Sequence, residues 1–120
     1  MKNNSDKKVV LVTGATSGIG KSVAHHLSTK NYRVFGTYRS EKSKTDENFT
    51  YVQMDVRDEN TIRKAVAEIL ETEGRIDVLI NNAGVGTVGS IEDTTVSEAK
   101  EIFETNVFGV HAVCLEIIPI

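Results

Sequence analysis

Three glycines within seven residues follow an apolar run near the N-terminus, and this pattern constrains the fold most. Gly14, Gly18 and Gly20 come after the run 8–13 (KVVLVT), and an apolar pattern with helical spacing begins near Ile19. The order predicts a strand, a tight turn and a helix. Backbone N–H groups at such a helix N-terminus can point at an anion with no side chain between them. The turn therefore indicates a nucleotide phosphate site, with a plain tight turn as the alternative.

Composition describes an ordinary globular protein of one domain. The chain has 120 residues, of which 39% are hydrophobic and 26% charged. We predict a frayed tail over 1–7 and a folded domain over 8–120. No apolar stretch approaches the ~20 residues of a membrane span, and no secretory signal is recognised, so a cytoplasmic setting without a membrane partner is expected. The net charge of −3 with interspersed signs does not predict nucleic-acid binding.

Metal ligands and disulfides are not expected. Cys114 is the single cysteine, which excludes an internal disulfide and a cysteine-based metal cluster. Its place on an apolar helix face predicts inert packing. The three histidines have no carboxylate or cysteine at ligand spacing, so they are expected to be surface or core residues.

The rest of the chain alternates between strand-like and helix-like patterns. Asp58 can cap a helix that ends at Gly74, and Thr95 and Glu98 have capping-box spacing at the start of another. Strands alternating with helices predict a three-layer α/β/α fold with a parallel sheet and right-handed crossovers. The remaining strands are predicted over 33–38, 49–54 and 76–81.

The last predicted helix carries one apolar face. We expect its inner face to consist of Ala99, Ile102, Phe103, Asn106, Val110, Val113 and Ile117. The pattern stops after this helix, so the fold is predicted to be truncated after its fourth strand and the following helix. The strand 76–81 should then lie at a sheet edge. Exposed apolar edges recruit partners, so a homo-oligomer is expected.

Four motifs in order resemble the short-chain dehydrogenase/reductase family. They are TGATSGIG from Thr13, MDVRD from Met54, NNAG from Asn81 and TNVFG from Thr105. The resemblance runs from about residue 8 to the end and implies a Rossmann-type fold. It also implies hydride transfer between a bound nicotinamide dinucleotide and a carbonyl or alcohol substrate. The motif positions it assigns to the cofactor are Gly14, Ser17, Gly18, Ile19 and Gly20 for pyrophosphate and ribose, Asp55 and Val56 for adenine, and Asn81, Ala83 and Gly84 near the adenosine ribose and the nicotinamide side.

The resemblance also assigns a catalytic role to Asn106, which would hold a water molecule for proton relay. A structural hydrogen bond is an equal alternative, because a polar residue on an apolar helix face needs a partner. The family's serine, tyrosine and lysine follow later elements. Tyr38 and Lys42 match a Tyr-x-x-x-Lys spacing, but they fall beside the adenosine end, so the match is taken as chance. The chain alone is therefore expected to bind cofactor without turnover.

Cofactor choice is predicted from the end of the second strand. An acidic residue there accepts hydrogen bonds from the ribose hydroxyls of NAD. Tyr38 occupies the position, and Arg39 follows it. A guanidinium suits a 2′-phosphate, so NADP is favoured over NAD, with an exposed, solvated arginine as the alternative.

Two functional alternatives stay open. One is a dinucleotide-binding or dimerisation module without chemistry. The other is a nucleoside triphosphatase, because the segment 15–22 (ATSGIGKS) nearly reproduces a phosphate-binding loop ending in Lys21 and Ser22, although alanine replaces its first glycine. A literal Gly-x-Gly-x-x-Gly at 84–89 lies several residues before the next helix and is interpreted as a flexible loop.

Overall fold

The computed structural model describes residues 7–40, 48–84 and 91–120. Strand and helix alternate as predicted, although β1, β3 and β4 are shorter than the sequence suggested. The strands are β1 (Val9–Val12), β2 (Arg33–Tyr38), β3 (Thr50–Gln53) and β4 (Val78–Ile80). The helices are α1 (Gly18–Ser28), α2 (Glu59–Glu73), α3 (Val96–Phe103) and α4 (Val110–Ile117), with a 3₁₀ turn at Ile91–Asp93 and a π-helical segment at Glu104–Gly109.

The four strands form one parallel sheet in the order β3-β2-β1-β4. Leu11 pairs with Phe35 on one side and with Leu79 on the other, which places β1 inside the sheet. β4 is an edge strand, as predicted, and Val78 is 36% exposed. The strand order reverses between β1 and β4, and ligands of open α/β sheets bind at such a switch point, beyond the carboxyl ends of the strands.

Helices cover both faces of the sheet and give the three predicted layers. One face of the sheet packs against α2 and α4, and the other packs against α1. The first core includes Leu11, Phe35, Val52, Ile62, Ile69, Val113 and Ile117. The second core includes Val10, Val12, Ala15, Ala24, Val34 and Phe49. The alternation of neighbouring β1 residues between the two cores follows from the two-residue period of a strand.

Helix α2 begins and ends where the sequence predicts. The Asp58 side chain accepts a hydrogen bond from the backbone N–H of Asn60 at 3.0 Å. Gly74 ends the helix in the left-handed conformation, with φ of 76°. Its N–H donates to the carbonyl oxygen of Leu70 at 2.8 Å, which satisfies one of the terminal carbonyl groups.

The last helix differs from its prediction. Thr95 and Glu98 form the expected reciprocal capping box. The helix is not α-helical throughout, however, because residues 104–109 are π-helical, and a π turn shifts the residues after it around the helix axis. The predicted inner face was wrong at Asn106, which lies within the π turn and is exposed, and also at Phe103, which precedes the π turn and is 54% exposed. The buried residues of this segment are Thr105, Gly109, Val113 and Ile117.

Several sequence predictions fall outside the described residues. They concern the N-terminal tail 1–6, Lys42, and all but the first residue of the second glycine pattern at 84–89. Within the described part of the chain, no helix is both long and apolar enough to cross a lipid bilayer. The same residues form no group of three His, Cys, Asp or Glu side chains that could hold a metal ion.

Candidate cofactor-binding site

A cleft of about 400 Å³ opens at the carboxyl ends of the strands. Because the strands are parallel, the segments that follow each of them meet at this one edge. The glycine turn after β1, the residues after β2 and β3, and the NNAG segment after β4 all contribute. The lining residues are Gly14, Thr16, Ser17, Thr37, Tyr38, Arg39, Ser40, Met54, Asp55, Val56, Arg57, Asn82, Ala83, Gly84 and Thr105.

The end of β2 holds the start of the glycine turn. The N–H of Gly14 donates to the hydroxyl oxygen of Thr37 at 2.9 Å, and the N–H of Ala15 donates to the carbonyl oxygen of Thr37 at 2.9 Å. The Tyr51 hydroxyl donates to the carbonyl oxygen of Ala15 at 3.1 Å. These bonds occupy the first two amides of the turn, so a bound phosphate would meet amides further along, at the start of α1.

The NNAG segment is fixed against the same turn. The buried hydroxyl of Thr13 accepts hydrogen bonds from the N–H groups of Asn82 and Ala83, at 3.0 and 2.9 Å. The Asn82 side chain donates to the carbonyl oxygen of Gly14 at 3.0 Å. Gly14 has φ of 70°, and a Cβ atom there would lie 2.9 Å from Cα of Ala83. The two segments therefore approach closely only because residue 14 is glycine.

The N-terminus of α1 lies at the cleft, where its N-cap residue Ser17 contributes to the lining. Ser17 occupies the N-cap position with extended backbone, and its side chain makes no capping hydrogen bond. The first N–H groups of a helix have no partner within the helix, and the helix dipole makes this end favourable for an anion. Ile19 is 76% exposed beside this end. An uncapped, glycine-flanked helix start of this kind fits a pyrophosphate.

Gly20 has a packing role. It is buried, and a Cβ atom there would collide with the carbonyl oxygen of Gly14 and the side chain of Asn82. Since no side chain fits, α1 can start close against the two segments that form the cleft. The glycine requirement at this position comes from helix packing, which is one of the roles of glycine in nucleotide-binding turns.

Tyr38, Arg39 and Ser40 line the cleft where β2 ends. Tyr38 is held by an edge-on contact with the Tyr51 ring, whose centroid is 6.2 Å away. The side-chain amide of Gln53 donates to the carbonyl oxygen of Arg39 at 3.0 Å. The Arg39 backbone is therefore fixed, while its exposed guanidinium can reach an anion in the cleft.

Asp55 presents a carboxylate to the cleft, and Arg57 binds it. Oδ1 of Asp55 accepts hydrogen bonds from the backbone N–H and from Nε of Arg57, at 2.9 and 3.2 Å. Burial of the carboxyl raises its pKa, but the side-chain and backbone hydrogen bonds from Arg57, with the charges of Arg57 and Arg39, outweigh burial and lower the pKa of Asp55 below its ordinary value. Asp55 is therefore ionised at neutral pH.

Asn106 lies in the π-helical segment, and π turns inside α-helices are frequent at functional sites. A Cβ atom at Gly84 would lie 3.1 Å from Oδ1 of Asn106, so the asparagine is adjacent to the NNAG segment. On the same helix, a Cβ atom at Gly109 would lie 2.6 Å from Cγ2 of Val56. The π segment thus packs directly against two cleft residues.

The structure places the predicted site residues in two groups. Seven of them line the cleft: Gly14, Ser17, Arg39, Asp55, Val56, Ala83 and Gly84. The others are outside its lining. Gly18 and Ile19 are exposed at the helix start, Gly20 packs beneath the turn, and the exposed Asn81 donates to Sγ of Cys114 at 3.6 Å. The assignments of individual residues to cofactor groups stay predictions.

Sequence reasoning did not select several cleft residues. Thr37, Asn82 and Arg57 carry hydrogen bonds that shape the site. Arg57 lies two residues after Asp55 within the MDVRD motif, and this spacing could have predicted the ion pair. Nothing in the local sequence marks Thr37, because its partner Gly14 is 23 positions away.

The family follows from comparison with known proteins. The family model described as short chain dehydrogenase matches residues 8–120. The chain belongs to the short-chain dehydrogenase family. The resemblance seen in the four motifs is thereby confirmed. A 3-ketodihydrosphingosine reductase of Bacteroides thetaiotaomicron is 42% identical to this short-chain dehydrogenase chain over 115 residues, which cover 93% of this chain and 41% of the reductase.

Solved structures agree with the fold. A variant of actinorhodin polyketide ketoreductase determined with NADPH is 32% identical, with a TM-score of 0.85, and the match covers 98% of this chain and 48% of the ketoreductase. An NADPH-bound carbonyl reductase from chicken fatty liver is 29% identical, with a TM-score of 0.84, and the match covers 94% of this chain and 48% of the reductase. This short-chain dehydrogenase chain thus spans less than half the length of these three proteins.

Proposed function

We propose that this chain binds NADP(H), and that it is the cofactor-binding part of an oxidoreductase that transfers hydride between NADP(H) and a carbonyl or alcohol carbon. The observation that carries the proposal is that Arg39 and Ser17, the N-cap residue of α1 whose side chain makes no capping hydrogen bond, line one cleft. The family membership and the NADPH-bound relatives support the same cofactor.

The cleft residues fit the parts of a dinucleotide. The start of α1 offers backbone N–H groups to the pyrophosphate, and Arg39 offers a guanidinium to a 2′-phosphate. Asp55 offers an acceptor oxygen to the amino group of adenine, and Ala83 and Gly84 leave room for the far end of the cofactor. When bound, the nicotinamide would supply the hydride. The chain's own residues in the cleft would bind the cofactor and orient it.

The chain by itself is expected to bind without turnover. The serine, tyrosine and lysine of the family reaction are not matched at suitable positions in these 120 residues. Asn106 would hold a water molecule for proton relay in a complete active site, and its place beside Gly84 supports that role. Reduction of simple ketones by this chain with NADPH would contradict this part of the proposal.

The decisive experiment is a calorimetric titration of the chain with NADPH, NADH and Mg²⁺–ATP. We expect saturable binding of NADPH, tighter than NADH by roughly tenfold or more, because a hydrogen bond to a charged group contributes about 1.5–3 kcal/mol. Arg39→Ala should reduce NADPH affinity to that of NADH. Arg63→Ala is the control, since Arg63 pairs with Glu59 on α2 and does not line the cleft.

The results separate the alternatives. Binding of both dinucleotides with equal affinity, unchanged by Arg39→Ala, would contradict the NADP preference and leave a less selective dinucleotide module. Binding of Mg²⁺–ATP alone would favour the triphosphatase. Lys21 and Ser22, which that reading requires, lie on the exposed side of α1 with His25 and His26, outside the cleft lining.

Self-association is a second part of the proposal. The segment 91–120 exposes several large apolar side chains, and β4 exposes an edge of the sheet. The exposed side chains include Val96, Phe103, Phe108, Leu115 and Ile118. Apolar surfaces of this kind mark interfaces, so we expect a homo-oligomer in light scattering at micromolar concentration. Phe108→Glu should weaken it, whereas Ala67→Glu on α2 should not. A monomeric wild-type chain would contradict it.

A cytoplasmic location and the absence of a nucleic-acid partner stay predictions. The substrate is proposed only by class, as a small carbonyl or alcohol.

A further inference from the structure

Arg57 fills most of the hydrogen-bonding capacity of the Asp55 carboxylate. An ionised carboxylate has about four acceptor positions, two on each oxygen. Among the described residues, the Arg57 N–H and Nε occupy the two positions of Oδ1, and Nη2 of Arg57 occupies one position of Oδ2, at 3.2 Å. One acceptor position on Oδ2 is left.

The backbone of Asp55 is also held, by the side chain of Thr61. The backbone N–H of Asp55 donates to the hydroxyl oxygen of Thr61 at 2.9 Å, and the single proton of that hydroxyl is shared between the carbonyl oxygens of Asp55 and Asp58, at 2.9 and 2.7 Å. The Asp55 side chain is only 22% exposed, and it lines the cleft together with Arg57. The single open acceptor position therefore belongs to a carboxylate whose backbone and rotamer are both held.

The two arginines near Asp55 stand in different places along the chain. Arg39 follows β2, whereas Arg57 follows β3 and feels the charges of Glu101 in α3 and Glu104 in the π-helical segment. Arg57 thus has Asp55 as its hydrogen-bonded partner, and the charges of Glu101 and Glu104 act on it more weakly. A guanidinium already paired with one carboxylate is a poor site for a further dianion, and Arg39 is the better one.

We infer that Arg57 is a positioning residue of the adenine subsite, which holds the Asp55 carboxylate so that one oxygen remains open to the amino group of the base. The inference rests on the proposed nucleotide-binding function. Arg57 then affects all adenine nucleotides equally, and Arg39 affects only those with a 2′-phosphate. Lysine cannot replace the bidentate geometry, because an ammonium group is a point charge.

The test compares Arg57→Lys with Arg75→Lys. Arg75 makes the same kind of pair with Asp77 outside the cleft, and side-chain exposures are nearly the same, 41% and 22% for Arg57 and Asp55 against 44% and 22% for Arg75 and Asp77. The ligands are NADPH, NADH and ADP. The first readout is calorimetric affinity, and the second is the pKa of Asp55 from carboxyl ¹³C NMR.

We expect Arg57→Lys to weaken the binding of all three ligands by a common factor of about 3 to 10. This is less than the tenfold or more expected when a hydrogen bond to a charged group is lost entirely. The pKa of Asp55 should rise, because hydrogen bonds that favour its ionised form are lost. NADH binding should then be lost at a higher pH than in the wild type. Arg75→Lys should change neither the affinities nor the pKa of Asp55.

Three results would overturn the inference. Tighter binding in Arg57→Lys would mean that Arg57 blocks the subsite. Weakening of NADPH alone would mean that Arg57 binds the 2′-phosphate. If the wild type binds all three ligands and Arg57→Lys binds them with unchanged affinity, Arg57 has no positioning role. A wild-type chain that binds ADP but neither dinucleotide would overturn the proposed function alone, and one that binds none of the three would overturn both.

Discussion

The hydroxyl oxygen of Thr37 accepts a hydrogen bond from the backbone N–H of Gly14 at 2.9 Å, and so joins the end of β2 to the glycine turn after β1. Thr37 is 2% exposed, which keeps water from replacing this bond. The residue directly before the predicted cofactor-selecting pair Tyr38 and Arg39 therefore also positions the phosphate-binding turn. The same residue, Thr37, thus positions both the segment predicted to select the cofactor and the turn predicted to bind phosphate.

Replacing Thr37 by valine should destabilise the chain by about 1–3 kcal/mol, because it leaves the Gly14 N–H without its acceptor in a site of similar shape. Urea unfolding measures the change. Thr37→Ser keeps the hydroxyl, so its free energy of unfolding should fall by less than that of the valine variant. If the valine variant unfolds at the wild-type urea concentration and the serine variant does not, the hydrogen bond does not support the turn.

Replacing Gly109 by alanine should destabilise the chain by about 1–3 kcal/mol through overpacking. The new Cβ would lie 2.6 Å from Cγ2 of Val56, which is only 7% exposed and has a stiff, β-branched side chain. Val56→Ala should relieve the contact. In a double-mutant cycle by urea unfolding, the two changes together should therefore cost less than their sum, and strict additivity would contradict the proposed clash.

Replacing Gly74 by alanine should cost about 1 kcal/mol of unfolding free energy. Its φ of 76° is a left-handed conformation that strains a residue with a Cβ atom, while no atom of the described residues would lie within 4 Å of that Cβ. The penalty should therefore come from the backbone alone. Gly74→Asn tests this, since asparagine tolerates the conformation better and should recover part of the loss in thermal unfolding.

Asp77 should make the chain sensitive to acid. Hydrogen bonds from the Arg75 side chain and the Val9 N–H, the latter at 2.7 Å, lower the pKa of Asp77 below its ordinary value. A lowered folded-state pKa gives stability that is complete above the unfolded value and lost as the pH falls through the folded value. Urea unfolding of Asp77→Asn should thus show its deficit at pH 6–7, and the deficit should shrink below about pH 4.

The control for that experiment is Glu68→Gln, an exposed position of α2. It should leave the pH dependence of unfolding as in the wild type. A deficit of Asp77→Asn that stays constant from pH 7 to pH 3 would show that the charge of Asp77 does not hold the start of β1.

Local signals predicted the elements well. The bounds of β2, both caps of α2, the capping box of α3 and the edge position of β4 are all confirmed. Each of these rests on residues within a few positions of one another, or on the order of elements. The π-helical segment was not predicted, because TNVFG has an acceptable helical pattern. The packing of this segment depends on Val56, because a Cβ atom at residue 109 would collide with the Val56 side chain.

The sequence by itself determined the fold class, the family and the place of the glycine turn, because periodicity, caps and motif order are properties of short stretches of chain. Only the tertiary structure decided which groups form the cleft. The crossovers place β1 between β2 and β4, and this brings Thr37 to Gly14, and Asn82 to Gly14 across 68 positions. Such hydrogen bonds depend on strand order and on distance in space, which a local pattern does not encode.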